Sequence, residues 1–201
     1  MLTHERTFWG QDDDPRAFMT DGAFRQKVRY IEEQGLVVWR LHDHLHRRQP
    51  DIFAVGLAQS LGWEQYLADK SYGRYSLPPS TLSALVAYVE SRLIARTIRV
   101  IGDPQTQVTK VGIRPGFASL PRLIDLFPTV DACLVGETRE WEGAECAYDM
   151  FASGLGKGLI VVGHAVSEDP GMKLCAAWLR TLFPEVPVAW VPAGEPFWRP
   201  V

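Results

Sequence analysis

The stretch Gly158-Leu159-Ile160-Val161-Val162-Gly163-His164-Ala165-Val166-Ser167-Glu168 constrains the fold more than any other part of the chain. Its uninterrupted apolar run, rich in β-branched residues, reads as a strand buried on both faces. Gly163 lets the chain turn sharply as it leaves the sheet. Ser167 or Glu168 is then expected to open a helix, with Asp169 and Pro170 in its first turn. His164 and Glu168 therefore stand where a parallel strand hands over to a helix, the edge of an α/β sheet at which ligands bind. A neutral imidazole nitrogen and a carboxylate at that edge suit Zn, Fe or Mn.

The rest of the chain supports a sheet covered by helices. Asp21 caps a helix over 22–34 with Phe24, Val28 and Ile31 on one face, and Gly35 closes it. A short strand over 36–41 delivers His42-Asp43-His44-Leu45-His46. Pro50 and Asp51 mark a turn into a helix over 52–61 that Gly62 ends. The tyrosine-rich stretch 63–79 reads as a connector and as the lobe boundary, giving a first lobe 1–62 and an α/β lobe 80–201. Ser80 or Thr81 caps an amphipathic helix to about Leu93. Strands are expected over 98–103, 108–113, 132–136 and 186–191, and helices over 119–127, 137–152 and 170–183. Residues 11–15 read as an acidic turn and 192–201 as an irregular tail. This alternation predicts an α/β fold with a parallel or mixed sheet.

Composition removes several function classes. A chain of 201 residues builds one sizeable domain or two small lobes. A net charge of −3 without a basic stripe gives no nucleic-acid signal. No apolar run is long enough to cross a bilayer, and no charged leader precedes an apolar core. The three cysteines form no CxxC pair and read as reduced and buried, so a cytoplasmic location is expected.

The five histidines fall in three places: His4, the group His42, His44 and His46, and His164. Each place is a strand end, and each has a carboxylate beside it: Glu5, Asp43 and Glu168. If 42–46 is extended, His42, His44 and His46 share a face; if it is helical, His42 and His46 share one. Either geometry joins His42 to His46. This many donors can hold two ions, an arrangement suited to hydrolysis by an activated water. Glu137 and Glu140 follow the strand 132–136, and one of them is expected to act as a general base or to hold a ligating imidazole. Trp9 and Trp141 are candidates for stacking a heterocycle, and Arg114 and Arg139 for meeting a phosphate. Gly154-Leu155-Gly156-Lys157-Gly158 has the composition of a phosphate loop but precedes a strand, which removes that reading. Ser167 has no nucleophile elbow around it, so no triad is expected.

Several motifs resemble the Nif-three-like dinuclear-metal proteins, also described as GTP cyclohydrolase 1 type 2-like. They are Thr3-His4-Glu5, Arg40 to His46, Val135-Gly136-Glu137, Gly163-His164-Ala165-Val166-Ser167-Glu168, and Val191-Pro192-Ala193-Gly194-Glu195-Pro196-Phe197. The resemblance implies a two-lobed α/β protomer with two divalent transition-metal ions (Zn, Fe, Mn or Co) in the cleft at strand ends, and a toroidal homohexamer. His164 and Glu168 match the family's His-x-x-x-Glu pair. His4-Glu5 falls where the family usually has two adjacent histidines. His42-x-x-x-His46 falls where it often has His-x-x-x-Asp, with Asp43 the alternative to His46. The implied metal donors are His4, Glu5, His42, His46, His164 and Glu168; Glu137, from its place after the strand 132–136, is the candidate base. The family normally has several dozen residues before the first ligand pair, so the first lobe is expected to be truncated. The activity implied is metal-dependent, cyclohydrolase-like hydrolysis of a small or nucleotide-like molecule. The alternative is a metal-binding assembly protein without turnover, whose mark is a closed coordination shell.

Overall fold

Three parallel strands, each leaving the sheet next to a residue of chemical interest, organise the larger part of the computed structural model, which describes residues 1–9, 15–70 and 73–200. The acidic turn expected over 11–15 lies outside the described residues except for Pro15, which opens a 3-10 turn to Phe18. The chain divides into two units, Met1–Arg47 and Arg48–Val201.

In the first unit, β1 (Leu2–Thr3) is followed by α1 (Gly22–Glu33), β2 (Trp39–Arg40) and α2 (Asp43–His46). Asp21 caps α1 by accepting from the Phe24 amide at 2.9 Å, as its position predicts. β1 runs parallel to β2, with Thr3 opposite Arg40. The strand expected over 36–41 is only two residues long, because β1 offers it a two-residue partner.

The second unit opens with α3 (Ile52–Leu61), capped by Asp51 through the Phe53 amide and closed by left-handed Gly62. β3 (Arg74–Thr81), α4 (Leu82–Leu93), β4 (Arg99–Ile101) and β5 (Gln107–Phe117) follow. Next come α5 (Leu120–Leu126), β6 (Ala132–Glu137), a π-helical turn Glu140–Ala144 running into α6 (Glu145–Ala152), β7 (Gly158–Val161) and α7 (His164–Leu182). The sheet order is β3-β5-β6-β7-β4. β5, β6 and β7 are parallel, and each edge strand is antiparallel to its neighbour.

Alternation along the central strands makes two cores. Val111, Ile113, Ala132, Leu134 and Ile160 pack with Leu57 and Leu61 of α3 and Leu85 and Val89 of α4. Cys133, Val135, Leu159 and Val161 pack with Leu123 and Leu126 of α5 and Ala147 of α6. α7 lies against α3 at backbone distance: a Cβ on Gly56 would stand 2.5 Å from the Gly171 nitrogen.

Three expectations change. The stretch 63–79 carries a 3-10 turn and most of β3, and it lies inside the second unit, which begins at Arg48. Pro78 and Pro79 hid this strand; they are tolerated because β3 is an edge, and its register shifts between Ser76 and Ser80. α7 starts at His164, three to four residues earlier than expected. Gly163, at φ 102°, makes the turn, the Ser167 amide donates to the Gly163 carbonyl at 3.0 Å, and Pro170 falls inside the helix. Residues 186–191 form no strand, since Pro184, Pro187 and Pro192 interrupt the segment. Side chains of α7 hold it instead: Arg180 donates to the Val188 carbonyl at 2.8 Å, and Asp169 accepts from the Trp190 indole at 3.3 Å. Among the described residues no helix is long and apolar enough to cross a membrane.

Candidate metal centre

In the first unit β1 delivers His4 beside the end of β2. The Leu41 amide bonds the Thr3 carbonyl at 2.8 Å, and His4 Nδ1 lies 3.3 Å from the Leu41 carbonyl. A carbonyl only accepts, so Nδ1 carries a proton and Nε2 is the nitrogen turned toward the other rings. α2 settles the geometry of 42–46 in favour of a helix, which puts His42 and His46 on one side and leaves His44 exposed. His4 and His42 stack at 4.5 Å between ring centroids, and His46 stands 5.1 Å from His4 and 4.6 Å from His42. Each of the three offers one nitrogen within 4.8 Å of the others.

Carboxylates flank this group on two sides. Glu5 Oε1 is 3.6 Å from His42 Nε2 and 4.0 Å from His4 Nε2. Asp43 lies behind His42, its Oδ1 2.7 Å from Nδ1, while His46 stands with His4 and His42. That hydrogen bond, more than any nearby charge, holds the Asp43 carboxyl below the usual range.

In the second unit three strand ends supply the parts. The parallel ladder runs on past β7, with Val162 bonded to the Val135 carbonyl at 3.0 Å and Gly163 to the Gly136 carbonyl at 2.8 Å. His164 and Glu168 then share a face one helical turn apart, with Nε2 and Oε2 3.1 Å apart. Glu168 is buried. Glu137, at the end of β6, places Oε1 3.0 Å from His164 Nδ1. Glu140, the other acid weighed from the sequence, pairs instead with Arg99 at 2.6 Å.

Two residues not expected to support the pair, Ser167 and Gly116, hold it. Ser167 is fully buried; its hydroxyl donates to the His164 carbonyl at 2.7 Å and accepts from the Gly116 amide at 2.9 Å. Gly116, at φ 65°, lies directly under the carboxylate. A Cβ there would collide with Glu168 Oε1 and stand 3.3 Å from His164 Nε2. The available signal was Pro115-Gly116 inside a strand pattern, which marks a bulge; the β5–β6 register does shift between Arg114 and Phe117.

The chemistry of these donors fits divalent transition metals. His42 and His164 are built alike, each with a carboxylate on Nδ1 and another in front of Nε2. A carboxylate on Nδ1–H leaves Nε2 as a lone pair, and a second carboxylate facing that lone pair calls for a proton or a cation. Two donors bound to one ion at about 2.0–2.2 Å stand roughly 3.0–3.5 Å apart, which matches the His164–Glu168 spacing. The first-unit triad is wider, and an ion held there would require ring rotation, for which imidazole χ2 is broad.

Other candidates are engaged elsewhere. Trp9 packs edge-on to Phe18 at 5.7 Å. Arg139 pairs with Glu142 at 2.9 Å, and its guanidinium lies 6.0 Å from the exposed Trp141 ring.

A mixed α/β chain carrying a candidate His/Glu metal group is the class that this fold and these residues define. A family model for DUF34/NIF3 (NGG1p interacting factor 3) matches residues 18–194, and the chain belongs to that family. Similar solved structures share the fold. The hypothetical protein SA1388 of Staphylococcus aureus has a TM-score of 0.70 at 13% identity, covering 98% of this chain and 79% of that one. The protein ybgI, titled as of unknown function, has a TM-score of 0.66 at 21% identity over 90% of this chain and 70% of that one. TTHA1606 from Thermus thermophilus has a TM-score of 0.60 at 20% identity over 98% and 74%. A comparison with curated protein sequences finds no match.

Proposed function

We propose that this chain is a dinuclear transition-metal protein that hydrolyses a small or nucleotide-like molecule. The observation that carries the reading is the repeated carboxylate–imidazole–carboxylate arrangement at His42 and His164. His4, Glu5, His42 and His46 are the donors of the first unit, and His164 and Glu168 those of the second. Bound divalent ions supply Lewis-acid polarisation and a more acidic water.

The chain's own residues do the rest. Asp43 and Glu137 fix the tautomers of His42 and His164 so that Nε2 faces forward. Glu137 is 48% exposed, so the carboxylate that orients His164 is also reachable as a general base. Ser167 and Gly116 hold Glu168 in one position, away from water. Assembly as a homohexamer, which rests on the resemblance of the motifs, and a cytoplasmic location, which rests on the cysteine usage, belong to the same proposal.

Elemental mass spectrometry on protein purified without chelator or His-tag tests it. About two equivalents of transition metal per chain are expected, lost when His164→Ala is combined with Glu168→Ala or His42→Ala with His46→Ala. Metal content near zero after metal is added back sinks the reading. Two tightly held ions with no hydrolysis across a nucleotide and cyclic-amide panel would favour a non-catalytic assembly role.

A further inference from the structure

Three arginines gather on the sheet face that α5 covers. Arg74 stands opposite Gly112 in the β3–β5 pair, and Arg114 lies two residues along β5 from Gly112, so both project from one face. A Cβ on Gly112 would stand 2.7 Å from Leu126 Cγ, which identifies that face as the one beneath α5. Arg122 is one helical turn before Leu126 on the same helix.

Their hydrogen bonding is sparse. Arg74 donates to Thr129 Oγ1 at 3.0 Å and to Asp69 Oδ2 at 3.1 Å. Arg114 donates once, to the Ile113 carbonyl at 2.9 Å. Arg122 has no hydrogen bond or ion pair among the described residues. A guanidinium carries five N–H donors, so most of the donors in this group are unused by the protein. Burial, with the charges of Arg122 and Arg74, holds Arg114 below the ordinary arginine range, and Asp69 is among the groups that oppose the shift. Among the described residues Arg74 alone of the three is ion-paired, with Asp69, so positive charge is in excess here.

We propose that Arg74, Arg114 and Arg122 form a binding site for a phosphate-type dianion. Forked guanidinium donors match phosphate oxygens bidentately, and a dianion balances the excess charge. A phosphate ester, a pyrophosphate group and free phosphate share this chemistry.

Isothermal titration with inorganic phosphate and with pyrophosphate tests the site on metal-stripped protein, so that no bound ion contributes. Binding is expected with both probes and not with acetate, and it should weaken as salt is raised. Arg122 is exposed, so its variants keep the fold. Arg122→Gln is expected to weaken binding about ten-fold and Arg122→Glu further, as for loss of a charge-assisted hydrogen bond. The paired His164→Ala and Glu168→Ala variant should bind as the parent does. No binding at millimolar probe, equal binding by both Arg122 variants and the parent, or loss only in the His164/Glu168 variant would each overturn the proposal.

Discussion

Ser167 accepts a hydrogen bond from the Gly116 amide at 2.9 Å, although 51 residues separate them. One hydroxyl thereby ties the bulge of β5 to the first turn of α7. Ser167→Ala leaves that buried amide without its acceptor, at a cost of about 1–3 kcal/mol. The midpoint of urea unfolding of metal-free protein should fall, by a shift that, multiplied by the m-value, gives a loss of that size. An unchanged midpoint would remove Ser167 from any positioning role.

Gly116→Ala and Gly154→Ala separate backbone strain from collision. Both glycines have positive φ, at 65° and 74°, but only at Gly116 would a Cβ meet anything within 4 Å. Each substitution carries the left-handed penalty of roughly 1–2 kcal/mol. Only Gly116→Ala should also displace the Glu168 carboxylate and weaken metal retention. Equal metal content in the two variants would mean that the cradle is not needed.

Orienting carboxylates typically contribute about 10–100-fold to metal affinity. Glu137→Gln and Asp43→Asn should each weaken binding within that range, as read by competition with a chelating dye. Glu140→Gln is the internal control, because Arg99 and not His164 holds that side chain.

The legible parts of the chain were those governed by local rules. Asp21, Asp51 and Thr81 cap the helices after them, and Gly62 closes the one it follows, as their neighbours predict. The apolar run before Gly163 is a strand buried on both faces, as its lack of alternation predicts. The spacing of His164 and Glu168 fixed their contact as soon as a helix ran through both. β3 was concealed by two prolines that an edge strand tolerates. Pro115-Gly116 could mark the bulge, but the meeting of Gly116 with Ser167 depends on how β5 and α7 pack, and no periodicity encodes that. Whether His46 or Asp43 stands with His4 and His42 turned on whether 42–46 is helical, which five residues rich in His cannot declare.

Asp131 predicts an acid limb to stability. Partial burial alone would raise its carboxyl, but the Thr109 amide at 2.9 Å, the Lys110 amide at 2.8 Å and the Thr109 hydroxyl at 3.0 Å outweigh it and lower the pKa. A depressed folded pKa contributes stability that is present above the unfolded value of about 3.9 and is lost as pH falls through the folded one. Asp131→Asn should be less stable at pH 7 and show a flatter decline below about pH 4. Parallel stability–pH curves for parent and variant would contradict this assignment.

Thiol chemistry should follow burial. Cys133 is fully enclosed, and burial pushes its thiol up to about 12. Cys146 is partly exposed. An aromatic disulfide reagent at about pH 8, near the ordinary thiol range, should modify Cys146 first and reach Cys133 only with denaturant. Fast native-state labelling of Cys133, mapped by peptide mass, would contradict the packing of β6.

Gly116, Glu137 and His164 stand at the ends of three adjacent parallel strands, or just past them. Side chains alternate along a strand, so a one-residue slip of β6 would bring Gly136 or Thr138 to the place of Glu137. Such a slip keeps every helix and most of the apolar burial, yet it strips His164 of the partner on Nδ1. The ring-proton resonances of His164 are therefore a built-in gauge of sheet alignment, able to distinguish a correctly threaded chain from a compact, misaligned one of the same helical content.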